Sequence, residues 1–172
     1  MKPGERPLKR DEPLYVLDAT ATIHFAKISM LSLILEICDA HITREVYAEV
    51  VERGGTHPDA MVVRDAIDNG RLKVYEVKDE GALKALLRHP EIHVGEAEII
   101  TAARELGGVA VIDEKEARVV ANLYRVNTAP GCLFLLFRLL KIGKITINEA
   151  EKTLEKLLTS GLYLDPITLL AA

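Results

Sequence analysis

Val109-Ala110-Val111-Ile112-Asp113 is the stretch whose reading decides the fold. Four consecutive apolar residues with β-branched members predict a central strand. A helix over 96–106 precedes it, stopped by Gly107-Gly108, and a helix over 114–123 follows it. A buried strand with a helix on either side is the repeating unit of an α/β protein with a mainly parallel sheet.

The same unit recurs on the N-terminal side. Leu14-Tyr15-Val16-Leu17 is a short apolar run leading into Ala19–Leu35, a segment rich in helix formers. Ala40-His41-Ile42 predicts a second strand, and Thr43 is placed to cap a helix reaching Arg53, ahead of the turn 54–58. A helix over 59–69 ends at Asn69-Gly70. The alternating Leu72–Val77 then predicts a strand with one wetter face, followed by a helix over 80–88. Beyond Asn127, the apolar Leu133–Leu140 is expected in the core, although its apolar character on nearly all sides also suits a homodimer contact. A last amphipathic helix opens on Thr146-Ile147-Asn148-Glu149, a capping-box pattern, with Ile147, Ala150, Leu154 and Leu157 along one stripe. The expected architecture is a three-layer α/β/α sandwich with four to five strands, formed by residues 14–172. Residues 1–13, rich in Pro, Gly and charge, are expected to form a flexible tail.

Composition excludes several classes. With 172 residues, 49% hydrophobic and 28% charged, the chain suits one compact domain rather than a disordered or disulfide-built one. No apolar run reaches the roughly 18 residues of a membrane span, which predicts a soluble, cytoplasmic protein. Cys38 and Cys132 lack metal-type spacing and are expected to be small apolar fillers. The net charge of −4 does not favour binding nucleic acid by bulk attraction. Acids gathered to hold cations would also lower the net charge, and bound metal reverses the local field.

The candidate chemistry is carboxylate chemistry. Two strands end in aspartate, Asp18 and Asp113, and adjacent parallel strands would bring both to the rim where α/β sheets bind ligands. Either could instead cap the helix that follows, and Asp113–Glu116 has the D-x-x-E form of a capping box. Glu96 falls within the apolar arc of its helix, with Glu98 nearly opposite and expected in solvent. Among Glu45, Glu49 and Glu52, a turn of about 100° per residue puts Glu49 nearest the buried edge and the other two further out. Four acids in one pocket cannot all stay ionised without cations, and hard oxygen donors suit Mg²⁺ or Mn²⁺. Such a site activates water and neutralises charge on a phosphodiester. Lys115 and Arg118 share a helix face where they could meet a phosphate or simply be solvated. His24 and His93 lie near these positions, where a lone histidine is more often structural.

With those residues placed, the chain resembles the PIN-domain superfamily, in its DUF3368-like branch. The likeness rests on Leu17-Asp18-Ala19-Thr20, Ile42–Val50, Gly95-Glu96-Ala97-Glu98, Val111–Arg118 and Thr128-Ala129-Pro130-Gly131 with its apolar helix and Lys141-Ile142-Gly143. The resemblance implies that Asp18, Glu49, Glu96 and Asp113 are catalytic acids, with metal on Asp18, Glu96 and Asp113. It also implies that Thr20 matches the hydroxyl residue that follows the first acid. Metal-dependent RNA cleavage is implied, often as the toxin of a toxin–antitoxin pair, so RNA and an antitoxin are the implied partners. Many relatives carry Asp where this chain has Glu96, which changes side-chain reach. The missing zinc-ribbon cysteines separate the chain from ribosome-maturation relatives. The rival expectation is a PIN-fold module that binds RNA or protein without cleaving. A D-x-D phosphatase is disfavoured because Asp18-Ala19-Thr20 lacks the second aspartate.

Overall fold

The computed structural model describes residues 12–164, so most of the expected N-terminal tail lies outside the described residues. Five parallel strands form one sheet in the order β3-β2-β1-β4-β5: β1 Leu14–Leu17, β2 Asp39–Thr43, β3 Leu72–Tyr75, β4 Val109–Val111 and β5 Thr128–Ala129. The connections are helical: α1 Ala19–Lys27, α2 Leu31–Ile34, α3 Arg44–Tyr47, α4 Pro58–Asp68, α5 Glu80–Leu86, α6 Val94–Leu106 and α7 Lys115–Leu123, with α8 Gly131–Lys141 and α9 Ile147–Thr159 closing the described fold. This is a PIN-like α/β/α sandwich. Parallel strands are covered on both faces and so read as unbroken apolar runs. Val16, Leu17, Ile42, Ala110 and Val111 are accordingly without solvent contact.

β4 is interior as expected, but the middle strand is β1, which pairs with β2 through Val16–His41 and with β4 through Leu17–Val111. β5, only two residues long, carries no readable periodicity and was not anticipated. The register aligns the carboxyl ends of β1 and β4, and that alignment builds the site.

Two departures have local causes. The predicted single helix over Ala19–Leu35 is two, because Ser29 adopts a left-handed backbone (φ 60°) that ends α1. The helix after Thr43 does start there, with the Thr43 hydroxyl accepting from Val46 N at 3.4 Å, but its second half, Ala48–Glu52, is π-helical. Its wider turns rotate side chains away from positions projected at 100° per residue. The apolar α8 is core as expected, with Leu135, Leu136 and Leu139 buried and Phe134 packed edge-on to Tyr15 at 5.4 Å between centroids. The stop at Gly107 is as expected, in the left-handed region at φ 66°.

Thr43 is fully buried at the β2–α3 junction, so its cap is a stabilising contact. A Thr43→Ala protein should lose about 1 kcal/mol, read as a fall of roughly 2–4 °C in thermal midpoint. An unchanged midpoint would mean the cap contributes nothing.

Candidate active site at the rim of β1 and β4

The backbone ladder between β1 and β4 continues one step past the strands: Asp18 N donates to Val111 O at 3.1 Å. This fixes Asp18 beside the start of the β4–α7 turn. Its carboxylate, on a residue only 8% exposed, has two partners. Oδ1 accepts from Ala21 N at 2.7 Å, capping α1, and Oδ2 accepts from Asp113 N at 2.7 Å. Asp18 is therefore both the helix cap that local sequence suggests and a bridge to the second aspartate.

Asp113 does not cap the helix after it. α7 begins at Lys115 behind Glu114, with no side-chain cap, so the capping-box reading of Asp113–Glu116 is not realised. The Asp113 carboxylate instead accepts from Cys132 N at 3.2 and 3.3 Å, at the start of α8. Gly131 makes that contact available. It sits at φ 40°, and a Cβ there would overlap the Asp113 carboxyl group. Arg118, open to a phosphate or to solvent by sequence, donates to Ile112 O at 2.9 Å and Asp113 O at 2.7 Å and thereby clamps the turn.

Burial, then the charge of Asp113, then that of Glu96 raise the Asp18 carboxyl to about 7, against the opposing N–H groups of Ala21 and Asp113. Asp113 is raised as well, chiefly by burial, with Cys132, Arg118 and His24 acting in the opposite direction. Two carboxylates sharing one site resist double ionisation. The rim therefore holds an excess of negative charge near neutral pH that a proton or a cation relieves. The same burial and the two aspartates push the Cys132 thiol strongly up, so it remains a thiol, the small buried filler expected.

Asp113 lines a cleft of about 450 Å³, and Asp18 lies buried behind it. Thr20 and His24 from α1, Asp113, Lys115 and Arg118 from the β4–α7 region, and Gly161–Leu164 form its walls. Lys115 is exposed and Thr20 half-buried there. His24 Nδ1 lies 2.7 Å from Ser160 Oγ, and burial, with Lys27, holds the imidazole below its usual range.

The remaining acids are less gathered than expected. Glu96 is half-buried at the first turn of α6, where Oε2 accepts from His93 N at 3.0 Å, and its charge reaches Asp18. Glu49, projected at the buried edge, is exposed on the π-helical turn, while Glu45 is the half-buried one. Glu98, expected in solvent, is half-buried and accepts from Glu45 N at 2.9 Å. Among the described residues no three His, Cys, Asp or Glu side chains converge to hold an ion. The donors that do meet, two hard carboxylates with raised proton affinity, fit Mg²⁺ or Mn²⁺, which needs only one or two carboxylates besides water and phosphate.

The DUF3368 family model, described as a PIN domain, matches residues 14–171. The chain belongs to this PIN-domain family. PIN domains are generally nucleases, and the paired aspartates of this one lie where an open parallel sheet binds its ligands. Among curated proteins none matches this PIN domain. No helix among its described residues is long and apolar enough to cross a membrane.

Three contributors escaped the sequence reading. Gly131 was noted only as part of a Thr-Ala-Pro-Gly stretch, though a glycine opening an apolar helix is itself a hint of close approach. Ser160, beside His24, and Glu98, bonded to the start of α3, act through partners distant in sequence, which periodicity does not report.

Proposed function

We propose that this PIN domain is a divalent-metal-dependent endoribonuclease that hydrolyses RNA phosphodiester bonds at the Asp18–Asp113 rim. One observation carries the reading: a buried Asp18 and a half-buried Asp113 at adjacent strand ends, joined through the Asp113 N–H, with Asp18 raised to about 7. That is an acid pair short of positive charge, of which Asp113 lines a cleft wide enough for a nucleotide. Mg²⁺ or Mn²⁺ held by Asp18 and Asp113, with Glu96 adjoining, would neutralise phosphodiester charge and lower the pKa of the attacking water.

The chain's own residues set the rest. Asp18 fixes the Asp113 backbone, and Arg118 holds the same turn from the other side. Both leave the Asp113 carboxylate facing the cleft on a rigid support. Lys115 offers an exposed cation and Thr20 a hydroxyl to phosphate oxygens entering there. Glu49, exposed and outside this group, would at most support a metal ligand or the activated water. In this reading the protein works in the cytoplasm, its partner is RNA, and as a toxin it would be held by an antitoxin protein. A homodimer would use what α8 leaves uncovered, Phe137.

A second reading, a PIN-fold module that binds RNA or protein without cutting, is favoured by the exposure of Glu49 and the engagement of Arg118 with backbone carbonyls. Incubating the protein with single-stranded RNAs in the presence and absence of Mn²⁺, beside Asp18→Asn, separates the two. Cleavage that requires Mn²⁺ and disappears in Asp18→Asn is the expected result. Cleavage indifferent to the substitution would sink the nuclease reading, and binding without cleavage would install the second.

A further inference from the structure

His24 sits on the cleft wall with an arrangement that the carboxylate chemistry does not use. Its Nδ1 lies 2.7 Å from Ser160 Oγ, and that same oxygen lies 2.7 Å from the carbonyl of Leu157. A carbonyl can only accept, so the single hydroxyl proton of Ser160 is committed to Leu157. Ser160 Oγ must therefore accept from His24, and Nδ1 carries the ring proton. In a neutral imidazole this leaves Nε2 bare. Among the described residues nothing donates to it, and His24 lines the same cleft as Asp113. Burial and Lys27 disfavour the protonated ring, against the opposing charge of Asp113.

We infer that His24 is a hydrogen-bond acceptor for the hydroxyl donor beside the scissile phosphate, with Ser160 as the positioning residue that fixes the imidazole tautomer. The inference rests on the nuclease reading for its substrate but not for its geometry. An acceptor with no proton of its own selects an O–H group over a phosphate oxygen. RNA bound in the cleft would bring two such groups, the attacking water and the ribose 2′-hydroxyl. Both present the same chemistry to Nε2, and substrates can tell them apart.

The tautomer is read first, on the free protein, by ¹⁵N chemical shifts of the histidine rings assigned with a His24→Asn control. A bare Nε2 and protonated Nδ1 are expected, and a protonated Nε2 overturns the assignment whatever the activity. Ser160→Ala should release the preference and move the proton toward Nε2.

Cleavage is read second, with Mn²⁺ present. His24→Asn keeps a side-chain N–H where Nδ1 was, so the Ser160 bond and the fold are retained, and only the acceptor is lost. It should cut RNA about 100-fold more slowly with an unchanged thermal midpoint, and Ser160→Ala should fall between it and the wild type. Equal rates for wild type and His24→Asn would overturn the inference. An RNA with one 2′-deoxy nucleotide at the cleaved position identifies the donor. If it slows the wild type to the His24→Asn rate, the donor is the 2′-hydroxyl; if the His24→Asn deficit persists on it, the donor is water. A wild type that does not cut at all defeats the nuclease reading and the substrate half of this inference, while the nitrogen shifts still decide the tautomer.

Discussion

Gly131→Ala should lower the thermal midpoint by ~6–12 °C and remove cleavage, although residue 131 has no functional group. The left-handed backbone at φ 40° costs a non-glycine residue about 1–2 kcal/mol. The larger effect is steric. The new methyl would occupy the space of the Asp113 carboxyl group, which has to swing away. In moving it loses the Cys132 N–H, a bond to a charged group worth about 1.5–3 kcal/mol. Together these come to roughly 3 kcal/mol or more, and the site loses one of its two meeting carboxylates. Thermal unfolding and an RNA cleavage assay check both halves. An active Gly131→Ala protein would mean that the position of the Asp113 side chain is immaterial, and the assignment of the rim would fall with it.

The second large effect is on stability and pH, with divalent cations chelated. The Asp18 carboxyl has an ordinary value of 3.8 and stands at about 7 in the folded protein. Between those values the folded chain holds a proton that the unfolded chain has released, so raising the pH favours unfolding. Above about 7 both states are ionised and the loss levels off. At ~1.4 kcal/mol for each pH unit of displacement the loss amounts to a few kcal/mol. His24 and His41 act oppositely, because burial lowers both, and the stability they contribute is gained as the pH rises toward neutral. The comparison that isolates the aspartate is therefore wild type against Asp18→Asn. The wild type should lose midpoint relative to the variant as the pH is raised from 5 to 7.5. Mn²⁺ at pH 7.5 should then raise the wild-type midpoint and leave the variant unmoved. A difference between the two proteins that stays flat with pH would show that Asp18 carries no stored repulsion.

The sequence made the α/β alternation visible because buried parallel strands leave continuous apolar runs, as at Leu14–Leu17 and Val109–Val111. It also made both strand-end aspartates visible, and whether the two would meet depended on the strand order, which residue patterns alone left conditional. Features that depend on one residue's backbone angle were not visible: Ser29 ends α1 at a positive φ that serine seldom adopts. The π-helical turn at Ala48–Glu52 defeated the projection that favoured Glu49 over Glu45, because that projection assumes α-helical turns. Glu98 looked solvated when its own helix was considered alone. Its partner, Glu45 N, belongs to another element 53 positions away. The His24–Ser160 contact, separated by 136 positions, was out of reach for the same reason.

Pairing β1 at the middle of the sheet with β4 has a consequence for how the protein comes into being. The bond from Asp113 N to Asp18 spans 95 positions of chain, and a contact of that separation forms only after the intervening units have collapsed into place. During synthesis, domains organise as units from the N-terminus. The nascent polypeptide therefore carries Asp18 for most of its translation without the partner that completes the rim. Any hydrolytic capacity of the chain arises only after β4 has left the ribosome and docked, so truncated translation products ending before Asp113 are expected to be inert toward the RNA around them.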